Sequence, residues 1–98
     1  WLTDIKLGQL VCVWSVWDKC DIMEGKVVAI IEAGAVPPDL KEFFTHQNVA
    51  TALKRVPVPA RPSKYRRYVV ERRPGRCFVF SDNPTAHLFY AWSGKRVP

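Results

Sequence analysis

Five short runs of β-branched and aromatic residues constrain the fold of this chain more than any other feature. They lie near residues 10–17, 26–33, 67–72, 77–81 and 87–92, and glycine, proline, aspartate or asparagine soon follows each one. Such residues favour strands, and runs this short are not long enough for typical helices. The sequence therefore predicts five short antiparallel strands in a mainly β domain, with residues 18–24 as a hairpin loop between the first two.

The segment between the second and third predicted strands has a different character. Asp39 is followed three residues later by Glu42, an N-cap pairing that predicts a short helical turn. Residues 45–64 contain the closely spaced prolines Pro57, Pro59 and Pro62, which favour an extended, polyproline-like conformation. A chain of 98 residues holds one modest core. We therefore predict a single domain over 1–98, with 45–64 as a long irregular, basic and proline-rich insertion.

The order of these elements resembles a known class of small β domain. The matching motifs are Gly8-x-x-Val11-x-Val13, Gly25-x-Val27-Val28-x-Ile30 and Tyr68-x-Val70-Glu71, followed by a turn, a strand, a bend and a last strand. This order resembles an SH3-like barrel, and the first hairpin is similar to that of KOW-type modules. The segments GKVVAIIEAGAVPPDLKEFF and YVVE also resemble small uncharacterised proteins of phages and mobile elements. The resemblance covers roughly 7–44 and 65–92 and implies a five-stranded SH3-like barrel, but no particular function.

An enzymatic role finds little support in the residues. Another protein of similar layout, the plasmid-borne trimethoprim-resistant dihydrofolate reductase, has a Val-Gln-Ile-Tyr strand that should fall near 77–81, where this chain has no Gln or Tyr. The only histidines, His46 and His87, stand in no nucleophile-elbow context. Glycine spacings fit neither a P-loop nor a dinucleotide fingerprint. We therefore predict a non-enzymatic protein without a catalytic residue or cofactor.

Cysteine content and hydropathy indicate the cellular compartment of the protein. Cys12, Cys20 and Cys77 form no Cys-x-x-Cys pair and match no zinc spacing, so we predict reduced thiols and no bound metal. No apolar run approaches the roughly 20 residues that span a bilayer. These features predict a cytoplasmic protein without a membrane partner.

Charge is strongly segregated along the chain. The first 51 residues hold four Lys and seven acids, whereas the remainder holds eleven basic residues and two acids. Nine of these basic residues lie between Lys54 and Arg76, where Glu71 is the single acid. Segregation of this kind indicates a polyanion or an acidic protein as partner.

Two functional hypotheses follow, and the sequence leaves both open. Dense arginines beside tyrosines favour nucleic-acid binding, through phosphate contacts and base stacking. The candidate residues are Arg61, Lys64, Tyr65, Arg66, Arg67, Arg72, Arg73 and Arg76. The alternative without a binding function is that Arg72 and Arg73 only protect a strand edge from aggregation.

The second hypothesis rests on tryptophan. Four Trp are many for a domain of this size, and an exposed Trp14 or Trp17 would be a natural hot spot. These two residues predict a protein-interaction or self-assembly module, with a homo-oligomer as one form of it.

Overall fold

The structure is a computed structural model that describes residues 1–35 and 62–96. It contains five strands: β1 (Leu10–Ser15), β2 (Cys20–Ile31), β3 (Arg67–Arg73), β4 (Arg76–Ser81) and β5 (His87–Ala91). All pairings are antiparallel, and the strand order across the one sheet is β4-β3-β2-β1-β5. The prediction of a mainly β fold with five antiparallel strands is confirmed.

The first hairpin is tighter than the sequence predicted. The expected loop over 18–24 is wrong, because β2 already begins at Cys20 and Ser15 pairs with Cys20. Within the turn, Ser15 Oγ donates to Asp18 Oδ2 at 2.8 Å, and Lys19 adopts a positive φ of 53°. Asp21 and Glu24 are poor strand formers by composition, but cross-strand pairing and the burial of Met23 hold this part extended.

The sheet buries apolar side chains on both faces of its β2–β3–β4 half. Tyr68 and Val70 belong to the larger core, whereas Val69, which alternates with them along β3, belongs to a second cluster. The larger core comprises Ile5, Val11, Val13, Met23, Val27, Tyr68, Val70, Phe80 and Phe89. The second cluster comprises Ile31, Val69, Cys77 and Val79. As a result, four consecutive residues of β3, from Arg67 to Val70, are buried.

The last strand returns to the first one. β5 pairs with β1, so that Val11 lies opposite Ala91. The bend before β5 is held by Asn83, whose Oδ1 accepts from the Thr85 amide at 3.0 Å and from its hydroxyl at 2.8 Å. The N-terminal segment joins the same strand, because the Leu2 amide donates to the Phe89 carbonyl at 2.7 Å.

β4 and β5 form the two edges of the sheet, which is not closed among the described residues. The helical turn expected at Asp39 and residues 45–61 of the expected insertion lie outside the described residues. Residues 62–64 are described and belong to no strand. In 1–35 and 62–96, no helix is long and apolar enough to cross a membrane.

Candidate nucleic-acid interface

β3 carries the predicted basic residues to two separate places. Arg66 and Arg67 lie where the strand begins, and Arg72 and Arg73 lie where it ends. Arg72 lies six residue steps along the chain from Arg66, which in an extended strand corresponds to roughly 20 Å. The predicted residues that the structure describes therefore divide into two groups, one at each end of β3.

At the start of β3, the basic side chains mostly interact with other groups of the protein. Arg66 Nε lies 3.0 Å from Glu32 Oε2, and a hydrogen bond with Tyr68, followed by the Glu32 carboxylate, raises the pKa of Arg66. Lys64 Nζ lies 5.3 Å from the centre of the Tyr65 ring. Arg67 is only 7% exposed, so its guanidinium is poorly placed to contact a phosphate. Arg61 lies outside the described residues.

The other end assembles arginines around a β-bulge. Glu71 pairs with Cys77 and Arg73 pairs with Arg76, so two residues of β3 face one residue of β4. In a regular strand the neighbours Arg72 and Arg73 would point to opposite faces. A bulge changes the direction of a side chain, and here Arg72, Arg73 and Arg76 line one cleft together with Phe78. We call this feature of about 180 Å³ the arginine cleft.

Arg96 also lies beside the arginine cleft, although it was not among the candidate residues predicted from the sequence. Its Nη2 donates to the carbonyl oxygens of Arg72 and Glu24, and its Nε lies 3.2 Å from Glu24 Oε1. Arg72 Nε is 4.0 Å from the same carboxylate oxygen. The Arg96 guanidinium also stacks 4.8 Å from the ring centre of Trp92. One carboxylate is thus shared by two arginines, and positive charge remains in excess.

Arg73 and Arg76 present the strongest unbalanced charge of this group. They face each other across the hairpin, and among the described residues neither forms an ion pair with a carboxylate. Like charges in directly opposite positions of a sheet destabilise it. An anion placed between them would offset this repulsion, and guanidinium groups suit phosphate oxygens because they donate bidentate hydrogen bonds.

The predicted protein-interface residues lie in a different part of the sheet. Trp17 occupies the β1–β2 turn and is 82% exposed. Trp14 is half-buried in a ring cluster, with its centroid 6.1 Å from that of Trp1, which in turn is 6.0 Å from Tyr90. The Tyr90 hydroxyl donates to Asp21, and this hydrogen bond is the main reason that the pKa of Tyr90 is raised.

A second cleft, of about 240 Å³, lies between the N-terminal segment and β5. Tyr68, Asp82 and His87 are the ionisable side chains among its described lining residues, and its walls also include Leu2 and Phe89. His87 Nδ1 lies 3.1 Å from the Ser81 carbonyl, which can only accept, so this nitrogen carries the proton. Cys12, Cys20 and Cys77 are thiols without a disulfide. No group of three potential metal ligands occurs within 1–35 and 62–96.

No protein family, no curated protein and no solved structure matches this chain. The expected relationship to SH3-like and KOW-type modules, and to small phage proteins, therefore stays a prediction.

Proposed function

We propose that this protein is a non-enzymatic module that binds nucleic acid through the arginine cleft. The observation that carries the proposal is the β-bulge, since it gathers Arg72, Arg73 and Arg76 around one cleft, and the lining residues that the structure describes include no acid. Arg96 adds a further cation at its border. Backbone phosphates are the common feature of nucleic acids, so such a cleft binds them with little dependence on sequence.

The number of cations sets the expected salt dependence. Contacts from three or four arginines release a similar number of counterions when a nucleic acid binds. A rise from about 50 to about 200 mM salt should then weaken binding roughly 50- to 150-fold. Binding through three or four phosphate contacts has a modest affinity. It suits a module that binds nucleic acid together with other contacts to the same nucleic acid.

Fluorescence anisotropy with labelled oligonucleotides tests the proposal. The double variant Arg73→Gln/Arg76→Gln should lose most of the affinity and should lower the slope of log affinity against log salt by about two. The matched control is Lys6→Gln/Lys19→Gln, which removes the same charge from exposed positions that do not line the cleft. A folded protein that binds no oligonucleotide at about 50 mM salt would refute the proposal, as would equal losses in the two double variants.

We further propose that the sheet is that of an SH3-like barrel. The support is the element order, in which β1 to β4 follow one another across the sheet and β5 returns beside β1. A bulge between Val27 and Ala29 bends the long strand β2, as is needed when a sheet curls towards closure. An experimental structure in which β4 and β5 stay far apart on a flat sheet would argue against this assignment.

The alternative function, self-association or protein binding through tryptophan, is favoured by the exposure of Trp17. An indole that is 82% exposed places a large apolar area in water, and Trp1 adds another that is 67% exposed. If this surface forms an interface, Trp17→Ala should abolish association in sedimentation equilibrium and leave oligonucleotide binding intact. Association of this kind should vary little with salt, in contrast to phosphate binding. A monomeric parent protein would remove self-association as the function.

A further inference from the structure

We infer that the nucleic acid bound by the arginine cleft is single-stranded and that one of its bases stacks on the ring of Phe78. This inference rests on the proposed function and specifies its ligand. Its starting point is the composition of the cleft, where an aromatic ring lies among three guanidinium groups. Cations for the phosphates and a flat apolar ring for a base are the two parts of a sequence-tolerant single-strand site.

Phe78 is held in place as a platform. It lies in β4 opposite Val70, and its inner side packs against the larger core while it remains half-buried. A ring supported in this way loses little conformational freedom when a base stacks on it. Phenylalanine has no polar atom, so the contact reads the π-face that all bases share and not a particular base edge.

The position of this ring also separates single strands from duplexes. In a duplex each base is stacked between its neighbours, and only phosphates, sugars and groove edges are presented to a protein. Arginines alone would bind the phosphates of a duplex equally well. The Phe78 ring would then face charged phosphates, and it would add no stacking free energy to the binding. In a single strand the base can turn towards the ring while its own phosphates remain beside Arg72, Arg73 and Arg76.

Access to the cleft suits such a ligand. β4 is an edge strand, with β3 as its one neighbour among the described residues. The turn that joins the two strands is Pro74-Gly75, which places Arg73 and Arg76 at the tip of the hairpin. A flexible single-stranded nucleic acid can therefore approach from the edge of the sheet and pass the hairpin tip. Along this path it meets both the Phe78 ring and the arginines.

The test compares a fluorescein-labelled oligothymidylate of fifteen nucleotides with a fifteen-base-pair duplex at about 50 mM salt, a condition at which phosphate contacts are strong. The parent protein should bind the single strand at least about tenfold more tightly than the duplex. Phe78→Leu keeps an apolar side chain against the core and should weaken single-strand binding roughly 5- to 100-fold, with little effect on the duplex. Phe78→Trp, which keeps an aromatic face, should retain the single-strand affinity. Trp17→Leu is the aromatic control and should change neither affinity.

The outcomes distinguish this inference from the function on which it rests. Equal or tighter binding of the duplex, or single-strand binding that Phe78→Leu does not weaken, overturns the single-strand inference and leaves the nucleic-acid proposal standing. If Phe78→Leu fails to fold, Phe78→Trp decides, and a folded Phe78→Trp protein that has lost single-strand binding overturns the inference. Absence of binding to both probes overturns both.

Discussion

Replacing Gly25 by alanine should destabilise the sheet by steric pressure on a neighbouring backbone. A Cβ atom at this position would lie 2.3 Å from the carbonyl oxygen of Glu71 and 3.0 Å from Val70 Cγ1. Ordinary contacts begin near 3.4 Å, so β3 must move away from β2 by about 1 Å in a closely packed core. The obstructing atom is backbone, so no rotamer change can relieve the contact.

Overpacking costs typically about 1–3 kcal/mol, and the close backbone contact at Gly25 favours the upper part of this range. A loss of about 2–3 kcal/mol in a domain of this size lowers Tm by roughly 10–20 °C. Urea denaturation followed by tryptophan fluorescence measures the change in the free energy of unfolding. Because Glu71 adjoins Arg72, the same displacement should also disturb the bulge and weaken oligonucleotide binding.

Gly8→Ala is the control that separates steric pressure from backbone strain. Gly8 has a φ of 83° with nothing within 4 Å of the position of a Cβ, whereas Gly25 has no positive φ. Its replacement should therefore cost only the strain of a left-handed conformation, about 1 kcal/mol. A Gly25→Ala protein that is as stable as Gly8→Ala or the parent would show that β2 and β3 do not approach this closely.

Two further perturbations test other parts of the sheet. Burial raises the pKa of the Cys77 thiol to about 12, so Cys20, which is exposed, should react with iodoacetamide at pH 8 in the native protein and Cys77 should not. Because the unfolded thiol ionises near pH 9, the stability that Cys77 contributes is complete below that pH and falls by about 1.4 kcal/mol per pH unit until the folded thiol also ionises. A Cys77→Ala protein whose stability falls equally steeply above pH 9 would contradict this. Lys19→Gly should raise the free energy of unfolding by up to about 1 kcal/mol, since Lys19 holds a φ of 53° that glycine adopts without strain, and unchanged or lower stability would argue against that turn.

The positions of the strands could be predicted because β-branched and aromatic residues are concentrated where strands form. The start of β2 could not, because Asp21 and Glu24 resemble loop residues until β1 is available to pair with them. The fate of Arg67 was equally hidden. The residues that follow it in β3 are apolar on both faces of the strand, so the alternation of polar and apolar residues gives no sign of which face is exposed. The sequence therefore could not show that Arg67 is buried.

The candidate site could be predicted only in part. The density of arginine identified Arg72, Arg73 and Arg76, but a regular strand would have divided them between two faces. The bulge that unites them has no signal of its own in the sequence. Arg96 was missed because its contacts with Glu24 and Arg72 join parts of the chain that are distant in sequence.

The pairing of β5 with β1 has a consequence for the order in which the molecule can form. Val11 meets Ala91 only after nearly the whole described chain has been synthesised, whereas the β3–β4 hairpin that carries the arginine cleft needs only local contacts. Long-range pairing of this kind slows folding, with times of milliseconds to seconds typical of small all-β domains. During synthesis, the β3–β4 hairpin can therefore form before β5 pairs with β1. Until that pairing forms, β1 remains an unprotected edge of the sheet.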